Sequence, residues 1–106
     1  AEPQAEQRLL SAALESGVAV IINRPFAKGA MFARVKGKPL PAFAADLGAN
    51  SWAQLFLKWI IAHPAVTCVI PGTRSAVHVA DNLGAASGAL PEAAMRRRIA
   101  EHFRAL

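Results

Sequence analysis

Residues 68–82, CVIPGTRSAVHVADN, join an apolar segment to a helical pattern through a sharp turn. They run from the apolar segment through Pro-Gly into Thr73, Arg74 and Ser75, and the helical pattern begins at once. A strand that turns sharply into a helix leaves backbone N–H groups without partners, and here they lie beside a fixed positive charge. The arrangement favours an anion, most simply a phosphate.

Length and composition limit the class of protein. The chain has 106 residues, of which 54% are hydrophobic and 18% charged, so we expect one domain with an ample core and some surface that needs a partner. No run approaches the roughly 18 apolar residues of a membrane span, and the acidic start is unlike a signal peptide. A single cysteine, Cys68, suggests a reducing compartment, and we predict the cytoplasm. Because the chain begins without methionine, we expect a piece of something longer.

The net charge of +5 raises a nucleic-acid hypothesis. Its best carrier is RRR, residues 96–98, on a predicted C-terminal helix that starts near Pro91 and Glu92. The apolar stripe of that helix consists of Met95, Ile99, His102, Phe103 and Leu106. The arginines fall mostly on the other side, where a solvated face is the simpler interpretation. No nucleic-acid-binding motif accompanies them, so we predict neither a nucleic-acid nor a membrane partner.

The hydrophobic pattern predicts four helices. The first covers about residues 4–16 and stops at Gly17. Ser51 caps the second, which Pro64 closes, and Ser75 caps the third, which ends near Gly84. The C-terminal helix is the fourth.

Two β-branched runs, residues 18–22 and 65–70, predict strands that are covered on both faces. Residues 24–49 hold three glycines and three prolines, so we expect mostly loop with one short helical turn. A third, brief strand has room in residues 86–90. Helices alternating with buried strands predict an α/β protein with parallel pairing, either an open doubly wound sheet or a barrel. In both, the loops after the strands, residues 23–29 and 71–75, meet at one edge and can face one elongated anion.

The sequence resembles the carboxyl-terminal part of the aldo/keto reductase family. IPGTRSAVHVADNLGA, preceded by SWAQLFLKWIIAHPAVTCV, is similar to the family's helix and Ile-Pro-Gly strand end, with an Asn ten residues after Gly72. GVAVIINRPFAKGAMF resembles the strand-six segment. The resemblance implies an NADPH-dependent oxidoreductase acting on aldehydes or ketones, built on a (β/α)8 TIM barrel. Residues 1–106 would form a single partial domain, the section from helix 5 and strand 6 onward, with parallel strands and covering helices.

The resemblance also implies a cofactor site for NADP(H). Thr73 would bind the adenosine 2′-phosphate at the turn formed by Ile70, Pro71 and Gly72. Since many members have a lysine where Gly72 stands, Arg74 would replace that contact. Around the adenine would lie His78, Asp81 and Asn82. Along the pyrophosphate would lie Arg24, Pro25, Phe26, Ala27 and Lys28. Asn23 replaces the aromatic residue that stacks on the nicotinamide, which leaves a polar contact.

Simpler structural interpretations accompany these assignments. Thr73 and Ser75 are also ordinary turn and N-cap residues, and Cys68, inside a strand, reads as inert core. The three histidines show no metal-ligand spacing, and we predict no metal site.

Catalysis is not predicted for the chain. The family's chemistry uses a tyrosine acid carried by the first half of the barrel, and this sequence contains no tyrosine. Two hypotheses remain open: a fragment of an NADP-dependent reductase that carries cofactor-binding elements, whose full-length form takes a small carbonyl substrate, or a non-catalytic basic binding or assembly module. As partners we expect the missing N-terminal half of the barrel or a second copy.

Overall fold

A computed structural model of the chain describes residues 4–106, so the first three residues of the predicted domain lie outside it. The described residues form six α-helices and two strands. In chain order these are α1 (Leu9–Glu15), β1 (Ile21–Asn23), α2 (Ala30–Val35), α3 (Phe43–Asp46), α4 (Trp52–Ile61), β2 (Cys68–Ile70), α5 (Ala76–Leu83) and α6 (Ala93–Ala105). Short 3-10 turns occur at Gln4–Glu6, Ala27–Gly29 and Gly84–Ala86. No helix among the described residues is long and apolar enough to cross a membrane.

The four predicted helices are confirmed, together with their caps. The Ser51 hydroxyl accepts a hydrogen bond from the backbone N–H of Gln54 at 3.1 Å. Ser75 accepts from the N–H of His78 at 3.3 Å. Each bond satisfies one donor of a first turn that has no intrahelical partner. Gly17, at φ +66°, follows α1 and ends it.

The two strands pair in parallel, which confirms the predicted α/β class. The register places Ile21 opposite Cys68, Ile22 opposite Val69 and Asn23 opposite Ile70. The prediction that both strands are covered on both faces is wrong. Only the central residues of β1 and β2 are half-buried, and the flanking residues are exposed, Ile21 to 61% and Ile70 to 55%.

The exposure has a structural cause. The burial pattern of each strand alternates exposed, half-buried, exposed, so the described helices cover one face of the sheet and leave the other open. Cys68 points to the open face and is exposed, so its interpretation as inert core is also wrong.

The segment of residues 24–49 contains more helix than its glycines and prolines indicated. Met31 and Val35, four residues apart on α2, are buried against Phe56 and Phe103. Phe43 of α3 is buried in a second cluster. Tertiary burial therefore outweighs a local composition typical of loops.

The possible third strand in residues 86–90 is not formed. The chain there leaves the Gly84–Ala86 turn and continues without regular structure. The carbonyls of Ser87 and Ala89 instead accept hydrogen bonds from the Lys58 ammonium, the second at 3.1 Å. The buried Lys58 ammonium therefore satisfies carbonyls that would otherwise need partners on a neighbouring strand.

The core is organised around α4. Residues 54–59 of this helix are all buried, with Leu55 and Phe56 almost completely inaccessible. Helix α6 packs on it through the predicted apolar stripe, in which Ile99 and Phe103 are buried.

The arginine run of α6 is only partly a solvated face. Arg97 and Arg98 are exposed as expected. Arg96 instead donates through Nε to the carbonyl of Trp59 at 2.9 Å, while Trp59 Nε1 donates to the carbonyl of Arg96 at 2.9 Å. Its guanidinium also lies over the Trp59 ring and pairs with Glu6. The predicted exposure is wrong for Arg96, because its planar group fits both an aromatic face and a carboxylate.

Candidate functional site

A groove lies at the carboxyl ends of the two parallel strands. Its volume is about 770 Å³. Four parts of the chain line it: the loop after β1, the first turn of α4, the loop after β2 and one side of α5. The parallel register brings the two loops to the same edge of the sheet, as expected from the sequence.

The predicted site residues converge on this groove. Those that line it are Asn23, Arg24, Pro25, Phe26, Lys28, Ile70, Pro71, Gly72, Thr73, His78, Asp81 and Asn82. Ala27 lines a neighbouring cavity on the other side of the same loop. Arg74 lines neither space, although it directly follows Thr73 in the chain and is exposed to solvent.

The loop after β1 holds its basic residues in an unusual backbone conformation. Arg24, Ala27 and Lys28 have φ values of 48°, 50° and 56°, in the left-handed region. This region costs about 1–2 kcal/mol for each residue that has a Cβ atom. Hydrogen bonds from the N–H of Ala27 to the carbonyl of Arg24, at 3.0 Å, and from Gly29 to Phe26, at 2.9 Å, hold the turn. The fold therefore presents two cationic side chains to the groove from a strained turn.

The loop after β2 presents hydroxyl groups and helix N–H groups. The Thr73 hydroxyl accepts a hydrogen bond from the N–H of Ser75 at 3.2 Å. Its own proton is not used by that bond and can be donated to another acceptor. The first N–H groups of α5, those of Ala76 and Val77, have no intrahelical acceptor because of their position. Thr73 and Ser75 thus perform the turn and capping roles that their types suggest and still leave donors for an anion.

Asp81 is fixed in place by α4. One carboxylate oxygen accepts from the Ser51 hydroxyl at 2.6 Å, and the other accepts from Gln54 Nε2 at 3.0 Å. The same Nε2 donates to the Asp81 carbonyl at 2.9 Å, while Gln54 Oε1 accepts from the N–H of Asn50 at 2.8 Å. Both carboxylate oxygens keep a free lone pair toward the groove. The network joins α5 to the start of α4, and sequence reasoning missed Gln54, whose polarity in a buried face was the available signal.

An aromatic wall faces these polar groups, and of its three rings the sequence predicted only that of Phe26 as part of the site. Phe26 and Phe32 lie with ring centroids 4.7 Å apart, and Trp52 lies 5.6 Å from the ring of Phe56 behind them. Phe26, Phe32 and Trp52 all line the groove. Trp52 is held by a hydrogen bond from its Nε1 to the carbonyl of Lys38 at 3.0 Å. Such faces accept flat rings by stacking.

Lys58 is a buried cation outside the groove. Its side chain is inaccessible to solvent, and burial lowers the pKa of the ammonium from its usual 10.5. Its two carbonyl partners, on Ser87 and Ala89, connect α4 to the segment that leads into α6. This group therefore has a structural role.

The groove combines cations, hydroxyl and N–H donors, a carboxylate and aromatic rings. That set suits a ligand with phosphate groups at one end and flat rings elsewhere. Within residues 4–106, no group of three or more His, Cys, Asp or Glu side chains is arranged to hold a metal ion.

Comparison with known proteins gives one match. The model of the aldo/keto reductase family matches residues 1–102, almost the whole chain. Neither the curated proteins nor the solved structures gave a significant match.

Proposed function

The chain belongs to the aldo/keto reductase family, a family of oxidoreductases that use NAD(P)H, and we propose that it carries the NADP(H)-binding elements of a carbonyl reductase. In this proposal the chain is the carboxyl-terminal section of the family's (β/α)8 barrel. The groove at the carboxyl ends of β1 and β2 takes the cofactor. The full-length enzyme reduces an aldehyde or ketone.

The observation that carries the proposal is the convergence of the predicted residues on one groove. Twelve of the fourteen come from the end of β1 with its loop and, more than forty residues later, from the end of β2 with its loop and α5, yet they line a single space. A volume of about 770 Å³ lies within the usual range of cofactor sites, roughly 300–1,000 Å³.

The phosphate end of the cofactor fits the loop after β2. The Thr73 hydroxyl and the free N–H groups at the start of α5 supply hydrogen bonds to a 2′-phosphate. Arg74, exposed beside Thr73, reaches the same phosphate from outside the groove. Asp81 accepts from the adenine amine, because its two internal hydrogen bonds leave lone pairs available.

The rest of the cofactor fits the loop after β1. Arg24 and Lys28 neutralise the pyrophosphate, and Asn23 offers a polar contact to the nicotinamide. The chemistry that NADPH supplies in this family is hydride transfer to a carbonyl carbon. These residues bind and orient the cofactor, and no residue of the chain is assigned as the proton donor for the developing alkoxide.

We further propose that the chain alone does not catalyse reduction. The family's acid is a tyrosine, and the sequence contains none. The open face of β1 and β2 exposes Ile21, Cys68 and Ile70, which supports a partner at this face, either the other strands of a barrel or a second copy. The alternative, a basic module without an enzymatic role, keeps the same face and net charge but does not bind NADPH. The single cysteine favours a reducing compartment, the cytoplasm.

Two arginine variants test the proposal. Arg74→Ala should weaken NADPH binding by about 1–3 kcal/mol and leave NADH binding unchanged, because only NADPH carries the 2′-phosphate. Arg24→Ala is the matched control and should weaken both cofactors equally, because both carry the pyrophosphate. Calorimetric titration of the chain with each cofactor measures these losses. Equal losses for both cofactors with Arg74→Ala, or no binding of NADPH by the unmodified chain, would reject the placement.

A further inference from the structure

A second cavity lies on the opposite side of the loop after β1 from the groove. Its volume is about 310 Å³. It is lined by the Gln4–Glu6 turn, α1, one side of α4 and the segment of residues 23–27, and it is partly open to solvent. Residues 23–25 line both the cavity and the groove and separate the two. The cavity has no role in the proposed cofactor site.

The walls of the cavity are mainly hydrocarbon. The apolar side chains that line it include Leu10, Ile22, Met31, Phe56, Ile60 and Val66. They come from five different parts of the chain, so the space is a pocket between layers of the fold. A mainly apolar lining favours an apolar occupant over water.

Several polar groups of the wall have partners within the chain, while Asn23 and Arg24, which also line it, are assigned to the groove in the proposed cofactor site. Trp59 Nε1 donates to the carbonyl of Arg96 at 2.9 Å, and Arg96 pairs with Glu6. His63 Nδ1 accepts from the N–H of Ala65 at 3.1 Å. Among the described residues, no buried side-chain nitrogen or oxygen lacks a hydrogen-bond partner. Because most of the wall is hydrocarbon, a charged ligand would give up much of its hydration here, whereas a neutral apolar one would not.

The size of the cavity limits the occupant. An engineered apolar cavity of about 150 Å³ holds benzene, and drug-sized ligands occupy pockets from roughly 300 Å³ upward. A space of about 310 Å³ therefore suits one aromatic ring or two fused rings. The Glu6–Arg96 ion pair holds the Gln4–Glu6 turn over this space from α6.

We propose that this cavity is a binding site for a small neutral aromatic molecule, with the Gln4–Glu6 turn as its cover. Tryptophan fluorescence can distinguish the cavity from the groove, since Trp59 lines the cavity and Trp52 lines the groove. In a Trp52→Phe variant the emission of Trp59 alone reports on the cavity.

Toluene is the probe for this site. Titration of the Trp52→Phe variant should give a saturable change in Trp59 emission, and the unmodified chain should show a rise in melting temperature with toluene concentration. Filling the cavity with Ile22→Phe or Val66→Phe should weaken binding by about tenfold or more, because the added ring occupies the space. Gly72→Phe, which fills the groove instead, is the matched control and should leave toluene binding unchanged. Glu6→Gln should weaken binding several-fold by loosening the cover.

The results separate the proposal from a simple packing gap. No saturable response up to the solubility limit of toluene, in either emission or melting temperature, would overturn it. Binding that survives both filling variants, or that Gly72→Phe abolishes, would place toluene elsewhere and would also overturn it. Unchanged toluene binding in Glu6→Gln would show that the Gln4–Glu6 turn does not act as a cover.

Discussion

Gly72→Lys is expected to strengthen NADPH binding without affecting NADH. Many members of the family have a lysine at this position, and Gly72 lines the groove between β2 and Thr73. A Cβ atom built on Gly72 meets nothing within 4 Å, and the residue is not among the glycines with positive φ. The substitution therefore adds a cation at the turn proposed to bind the 2′-phosphate, without a steric or backbone penalty.

The expected gain in NADPH affinity follows from one charged hydrogen bond and the cost of ordering the lysine side chain. A hydrogen bond to a charged group contributes about 1.5–3 kcal/mol, and ordering the long lysine side chain offsets part of this. A net gain of about 1–2 kcal/mol corresponds to NADPH binding that is roughly 5- to 30-fold tighter. Calorimetric titration with NADPH and NADH measures both affinities. Because the groove is open to solvent, the gain should shrink as the salt concentration rises.

A neutral side chain of similar reach serves as the control. Gly72→Gln should gain much less than Gly72→Lys, since the charge supplies most of the effect. If Gly72→Lys tightened NADH as much as NADPH, the lysine would act on the pyrophosphate or through the overall charge, and the assignment of the 2′-phosphate to this turn would be wrong. An unchanged NADPH affinity in a variant with normal circular dichroism would refute it equally.

Three further predictions concern stability, packing and association. Burial lowers the pKa of Lys58 below 10.5, so the unfolded chain binds more protons than the folded chain just below that pH. The free energy of unfolding in urea should therefore rise, relative to that of Lys58→Met, as the pH approaches 10.5. The same pH dependence in the chain and the variant would contradict this. Gly84→Ala should lower the free energy of unfolding by about 1–3 kcal/mol, because its Cβ would overlap the Gln54 amide that binds Asp81. Gly72→Ala is the matched control, and an equal loss of unfolding free energy in both variants would exclude the overlap as the cause. Sedimentation at micromolar concentration should show self-association, or binding of a partner, through the open strand face; a monomer of 11.2 kDa that binds no hydrophobic dye would show that the chain closes its own core.

The groove could be predicted from the sequence because its position follows from topology. Two β-branched runs joined through a helix indicate parallel strands, and parallel neighbours bring the loops that follow them to one edge. Ser51 and Ser75 marked the starts of α4 and α5, which fixed where those loops end. Most of the aromatic wall was missed, since Phe32 lies on a helix that composition did not indicate.

The remainder depends on contacts between distant residues, which a local pattern does not contain. Helix α2 forms because Met31 and Val35 pack in one buried cluster with Phe103, which lies about seventy residues later in the chain. Arg96 was expected on a solvated face, but the Trp59 ring of another helix holds its guanidinium inward. No local pattern marked Lys58 as buried, and carbonyls from a distant segment hold its ammonium. The strands are short and half-exposed because no described element covers their second face.

The most direct test of cofactor binding is an NMR titration of the ¹⁵N-labelled chain with NADPH. We expect saturable shifts of the backbone amides in residues 23–28 and 72–82, with smaller shifts in the second range when NADH replaces NADPH. Shifts confined to the turn at residues 4–6 and its cavity, or no shifts at saturating NADPH, would contradict the claim that the groove is a cofactor site.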